Sequence, residues 1–106
     1  MPWTDGLQPW LRPAAAYLVE QARVSGLAPV ITSVYRSYGQ QAALYRRYRA
    51  GLSRLPAAPP GRSLHQQGRA FDVDLPQHRE VLPQMGAAWR SMGGRWWPSD
   101  PVHFEA

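Results

Sequence analysis

Ser63-Leu-His65-Gln-Gln-Gly68-Arg69-Ala70-Phe71-Asp72-Val73-Asp74-Leu75 decides how the rest of the chain folds. From Arg69 onward, Phe71, Val73 and Leu75 alternate with Ala70, Asp72 and Asp74, the period of a half-buried strand. One face of that strand belongs to a core, and the other carries Asp72 and Asp74. Six residues separate His65 from Asp72. That is too far for one helix face but natural for a loop residue and a strand residue that converge where the loop enters a sheet. The loop itself is written upstream, where Pro56, Pro59, Pro60 and Gly61 rule out a regular element over residues 52 to 64. Gly61 and Gly68 provide the tight backbone that turns His65 toward Asp72.

Working outward, Leu11, Ala14, Ala15, Leu18, Val19 and Ala22 recur at helical spacing between Trp10 and Ser25, with Pro13 in the first turn and Gly26 as the stop. Pro29 to Ser37 is rich in β-branched residues and reads as a strand with Arg36 at its end. Tyr38 to Ala50 reads as a helix closed by Gly51, with Arg46, Arg47 and Arg49 on a solvated face. A shorter helix is expected over about residues 79 to 92, with Pro83 in its first turn and Gly93-Gly94 at its end. Val102 to Glu105 reads as a last short strand. This order of elements permits either an α+β or a parallel α/β arrangement.

The length of 106 residues allows one domain, 1–106, around one core. With 44% hydrophobic and 18% charged residues the chain has the composition of a folded protein. It has no cysteine, which excludes disulfides, thiolate metal sites and cysteine nucleophiles and leaves His and carboxylates as the available ligands. All 12 basic residues are Arg, giving a formal charge of +5. Such a surface favours anionic polymers without choosing among them. There is no basic and apolar leader and no run of eighteen apolar residues, so neither a signal peptide nor a membrane span is expected.

Two of the three His and three of the seven acids fall in Ser63–Asp74 and Asp100–His103. Two imidazoles and one carboxylate from these segments form a ligand set suited to zinc, with a fourth position open for water as in catalytic sites. Taken singly, each has an ordinary explanation: His65 as a loop hydrogen-bonder, Asp72 and Asp74 as strand-end carboxylates, Asp100 as a turn former. His78, beside Arg79 and Glu80, keeps that explanation. Trp89 reads as core, while Trp96 and Trp97 suit packing or stacking on a ligand.

The order of these residues resembles a known family. Ser63-Leu-His65-Gln-Gln-Gly68-Arg-Ala70-Phe-Asp72 is similar to the Ser-x-His-x-x-Gly-x-Ala-x-Asp motif of the D-alanyl-D-alanine carboxypeptidases and L-alanyl-D-glutamate endopeptidases, which include VanY-type, VanX-type and phage endolysin-type members. Asp100-Pro-Val-His103-Phe-Glu105, Gly93-Gly-Arg-Trp-Trp97 and Ser33-Val-Tyr-Arg36-Ser37 resemble further segments of that family. The resemblance implies an α+β fold, a small mostly antiparallel sheet with helices on one side and the metal at the sheet's edge. It implies that His65, Asp72 and His103 bind Zn2+, that Asp100 is the catalytic base, and that Arg36 faces the scissile carbonyl or a substrate carboxylate. Ser63 and Gln40 follow as substrate-binding donors, and Asp74 as a residue beyond the ligands. Asp100 replaces the Glu of VanX-type dipeptidases and stands as in endolysin-like members. This favours an L-alanyl-D-glutamate endopeptidase, with a D-alanyl-D-alanine carboxypeptidase as the alternative.

The expected partner is therefore the peptidoglycan stem peptide, met by a monomer at the cell wall, periplasmic or extracellular, after phage-type release or cytoplasmic synthesis. A rival is a zinc-containing wall-binding module without catalysis, which would need neither Asp100 nor Arg36. Nucleic-acid binding through the Arg-rich helix is the other, and no recognised nucleic-acid motif supports it.

Overall fold

In the computed structural model, residues 2–54 and 56–106 are described. Met1 and Leu55, the latter within the loop read over residues 52 to 64, lie outside them. The elements run α1 (Arg12–Val24), β1 (Val30–Ser33), α2 (Tyr38–Arg49), β2 (Ala70–Asp74), α3 (Leu82–Ser91) and β3 (His103–Glu105). Three short 3-10 turns, Trp3–Gly6, Leu64–Gln67 and Arg79–Val81, link them.

The three strands form an antiparallel sheet in the order β1-β2-β3, so the α+β expectation holds and the parallel alternative falls. β2 is central because both of its edges are paired. Phe71 and Val73 are fully buried and Asp72 and Asp74 are not, as the alternation requires, while Ala70, on the same side as the two acids, is buried as well. The buried face meets Leu11, Ala15, Leu18 and Ala22 of α1 and its approach, Leu82, Met85 and Trp89 of α3, and Phe104 of β3. Phe71 stacks on Phe104 with centroids 5.5 Å apart and meets the edge of Trp89 at 5.2 Å.

Several boundaries differ from the sequence reading. β1 ends at Ser33 rather than Ser37, and within it the register against β2 shifts between Ile31 and Ser33. Arg36 thus lies beyond the strand, and its N–H is anchored on the His65 carbonyl at 3.2 Å. The helix expected from residue 79 begins at Leu82, after a 3-10 turn, with Pro83 in its first turn as read. His65 sits in a 3-10 turn within the segment read only as loop. Trp96 is core: it is buried, its indole N–H donates to the Pro101 carbonyl at 2.9 Å, and a Cβ at Gly86 would come within 2.1 Å of its ring. Trp97 remains substantially exposed.

Candidate metal centre

Each metal-site residue is delivered by a different local device. Asp72 projects from the polar face of the central strand. His103 begins β3 directly opposite it, since Asp72 and His103 are register partners. His65 comes from the 3-10 turn, whose entry is capped by the Ser63 hydroxyl accepting from the His65 N–H at 3.2 Å. The turn ends at Gly68, whose φ of 67° is left-handed and whose missing Cβ leaves room for the Gln8 backbone nitrogen, 3.1 Å from where it would sit.

Here the three side chains meet. His65 Nε2 is 3.2 Å and His103 Nδ1 is 3.1 Å from Asp72 Oδ1, and the three ligand atoms lie within 4.8 Å of one another. Ligands at zinc bond lengths of about 2.0–2.2 Å in a tetrahedron are roughly 3.3–3.6 Å apart, so the trio fits a zinc ion with little adjustment. The remaining ring nitrogens fix the tautomers. His65 Nδ1 is 2.6 Å from the Val34 carbonyl oxygen, an acceptor only, so Nδ1 carries a proton and Nε2, which faces Asp72, is the nitrogen a metal would take. His103 Nε2 is 2.8 Å from Glu105 Oε1, which leaves Nδ1 facing the cluster. Glu105 is held in turn by Arg95 through its other oxygen at 2.9 Å.

The electrostatics follow from this packing. Burial alone would raise the Asp72 pKa, but hydrogen bonds from His103 and His65 and attraction to both rings outweigh it and hold the carboxylate well below its usual range. Burial would lower that of His103, but its bonds to Asp72 and Glu105 and their charges prevail and raise it. Asp100 is exposed on the solvent side. Its pKa is raised, first by partial desolvation, against the pull of His103 and with the push of Asp72; His65 and Arg36 also act on it. All four clustered side chains therefore sense its charge, and its carboxylate makes no hydrogen bond to a described residue.

Arg36 donates to Asp72 Oδ2 at 3.2 Å, Ser33 Oγ at 3.0 Å and Gln41 Oε1 at 3.3 Å. A guanidinium has five N–H donors, so two are left over. The structure thus gathers His65, Asp72, His103, Arg36 and Asp100. The other two expected residues are engaged locally. The Ser63 hydroxyl caps the 3-10 turn, and Gln40 forms a capping box with Ser37 at the start of α2 while lining the groove beside Arg36. Asp74 turns to Arg79 at 2.8 Å, away from the ligands.

Glu105 and Gln41 have structural parts that the sequence reading did not assign. Glu105 follows His103 by two residues on the same strand, so period-two alternation puts both on one face and could have flagged it. Gln41, buried at 1% exposure, holds Arg36 and bonds the Ala58 carbonyl at 2.9 Å; nothing in the sequence distinguishes it from Gln40.

The sequence model of the VanY D-alanyl-D-alanine carboxypeptidase family matches residues 5–94. The chain belongs to that family. The match includes His65 and Asp72 and stops before Asp100 and His103, which the fold places beside them. Family membership makes the chain a peptidase, and zinc is the metal its trio fits.

Among solved structures, the vancomycin-resistance D,D-pentapeptidase VanY of a VanB-type cassette, in complex with Zn(II), superposes with a TM-score of 0.72 at 22% identity, over 93% of this chain and 71% of that one. VanYB in complex with D-Ala-D-Ala gives 0.73 at 23% identity, over 93% and 70%. The LD-carboxypeptidase LdcB gives 0.72 at 24% identity, over 94% of this chain and 65% of that one. At these identities the likeness is one of fold. No curated protein sequence matches the chain, and no helix among the described residues is long and apolar enough to cross a membrane.

Proposed function

We propose that this chain is a zinc-dependent hydrolase of the peptidoglycan stem peptide, acting at the cell wall, and that it releases the terminal residue of D-Ala-D-Ala. The observation that carries this reading is the convergence of His65 Nε2, Asp72 Oδ1 and His103 Nδ1, with Asp100 and Arg36 beside them. The family match supports cleavage at the D-alanyl end, and a relative of the same fold is known with D-Ala-D-Ala. Endopeptidase action between L-Ala and D-Glu is the second reading, favoured by Asp rather than Glu at position 100.

His65, Asp72 and His103 would hold the zinc ion, which when bound would supply Lewis acidity toward a carbonyl and toward water near neutral pH. The chain's own groups do the rest. Asp100, unpaired and made more basic by partial desolvation, takes the proton from the attacking water and passes it to the amine nitrogen as the C–N bond breaks. Arg36 is immobilised by Ser33, Gln41 and Asp72, so its two unused N–H groups are aimed before substrate arrives and meet the negative charge that grows on the carbonyl oxygen. The carbonyl of Val34 and the carboxylate of Glu105 keep the two rings turned toward the ion.

The test is mass spectrometry of purified muropeptides after digestion, with and without chelator. Loss of one D-alanine from pentapeptide stems, abolished by chelation, is expected. A new D-Glu amino terminus would instead identify the endopeptidase, and intact muropeptides would refute both.

A further inference from the structure

A groove of about 590 Å³ runs between β1 and α2, lined among others by Val34, Arg36, Gln40, Leu44 and Arg47. β1 is an edge strand, so the side of it away from β2 has no partner strand. Arg36 belongs to both places, since it lines this groove and touches Asp72 of the metal cluster. The groove therefore adjoins the metal cluster through Arg36.

The groove's lining holds two arginines and no acid; Arg36 is paired with Asp72 of the metal cluster, which leaves Arg47 as the cation without an acidic partner. No acidic residue occurs between Glu20 and Asp72, a span that contains eight arginines. The Arg47 side chain makes neither an ion pair nor a hydrogen bond among the described residues. Its position along the groove is set by α2. The Arg36 guanidinium is bonded to Gln41, and Arg47 lies six residues further along the same helix. At about 1.5 Å of rise per residue this is about 9 Å, the length of roughly three residues of extended peptide.

We propose that this groove holds the acyl side of the stem peptide in extended form, with Arg47 paired to the free α-carboxylate of its γ-linked D-glutamate. In a pentapeptide ending in D-Ala-D-Ala that glutamate is the third residue on the acyl side of the terminal bond, which matches the spacing. The assignment rests on D-alanine release as the reaction, because in the endopeptidase reading the same glutamate borders the bond that is cut. It makes the chain selective for stems whose glutamate is not amidated.

The test uses the zinc-loaded protein and two synthetic stem pentapeptides that differ only in this group, carboxylate in one and carboxamide in the other. The carboxylate peptide is expected to show the higher kcat/KM and the tighter binding, by up to about five-fold, the range of a solvent-exposed ion pair. In Arg47→Gln the ratio between the two peptides falls to one, while Arg47→Lys retains part of it. Equal values for the wild type, or a preference that survives in Arg47→Gln, overturns the proposal. Peptide affinities measured in parallel keep the two readings apart. D-alanine release without discrimination removes the groove assignment alone. Arg47-dependent discrimination in binding without release removes the reaction alone, and the absence of both removes both.

Discussion

Glu105→Gln changes one charge and almost no volume, and it bears directly on how the third ligand is held. In the native chain the Glu105 carboxylate accepts from His103 Nε2 at 2.8 Å and is itself fixed by Arg95 at 2.9 Å. Glutamine can still accept that bond, but as a neutral partner. A hydrogen bond to a charged group contributes about 1.5–3 kcal/mol and a neutral one about 0.5–1.5, so the loss is on the order of 1–1.5 kcal/mol. That corresponds to roughly ten-fold weaker zinc binding. Glu105→Ala removes the acceptor altogether and belongs nearer the upper end of the 10- to 100-fold range typical of such supporting residues. Competition against a chromophoric chelator measures the affinity directly, without recourse to activity.

The effect also has a predictable pH dependence. Glu105 helps to raise the His103 pKa, and the proton it favours competes with the metal. The wild-type advantage therefore widens as pH rises and His103 sheds its proton. Unchanged zinc affinity in a folded Glu105→Gln variant at pH 8 would show that this carboxylate does not support the ligand.

Three further outcomes follow from the same geometry. Asp100→Ala should lower kcat by about 10²–10⁴ while zinc affinity stays within a few-fold, checked by peptide assay and chelator competition together. Arg36→Ala should raise the barrier by about 2.7–4 kcal/mol, the cost of one oxyanion donor, read as kcat on a stem peptide. The two forms of the protein should respond to pH with opposite signs. With its pKa raised, protonated His103 stabilises the metal-free fold at low pH, and this is lost as pH climbs from about 6.5 through the raised value. Zinc must displace that proton, so the loaded form gains stability over the same interval. Thermal melts at pH 6, 7 and 8 should show the gap opening, to on the order of 15 °C when zinc is a thousand-fold above its Kd. Parallel trends in the two forms would mean that His103 is not a ligand.

The parts of the fold that were legible from sequence are those where one residue's environment repeats. Alternation over Phe71 to Leu75 gave the central strand and its polar face, and helical spacing of Leu11, Ala15, Leu18 and Ala22 gave α1. What could not be read depends on pairing between distant segments. The end of β1 at Ser33 has no counterpart in the run from Pro29 to Ser37, and the antiparallel arrangement follows from the family resemblance and from no periodicity. The site divides in the same way. Residue type and order marked out His65, Asp72 and His103, whereas the tautomer of His65 is set by a backbone carbonyl at Val34, which has no sequence signature. Arg36 was expected to face substrate. Its ties to Gln41 and Asp72 become visible only after the chain closes.

The arrangement of the trio also bears on how the third strand is held. β3 has three residues, and two of them, His103 and Glu105, belong to the metal centre while the third, Phe104, is wholly buried against Phe71. The strand is thus attached by core packing through one side chain and by the cluster through its two neighbours. Its ladder is short, with Ala70, Phe71 and Asp72 opposite Glu105, Phe104 and His103. An ion shared by Asp72 and His103 adds a cross-strand bond at the first rung, in a protein with no disulfide to serve that purpose. The same ion, if held by His65 as well, would tie the 3-10 turn to the sheet. Metal affinity and the attachment of the C-terminal strand are consequently one free energy, and substitutions that loosen β3 should weaken zinc binding even when they leave every ligand in place.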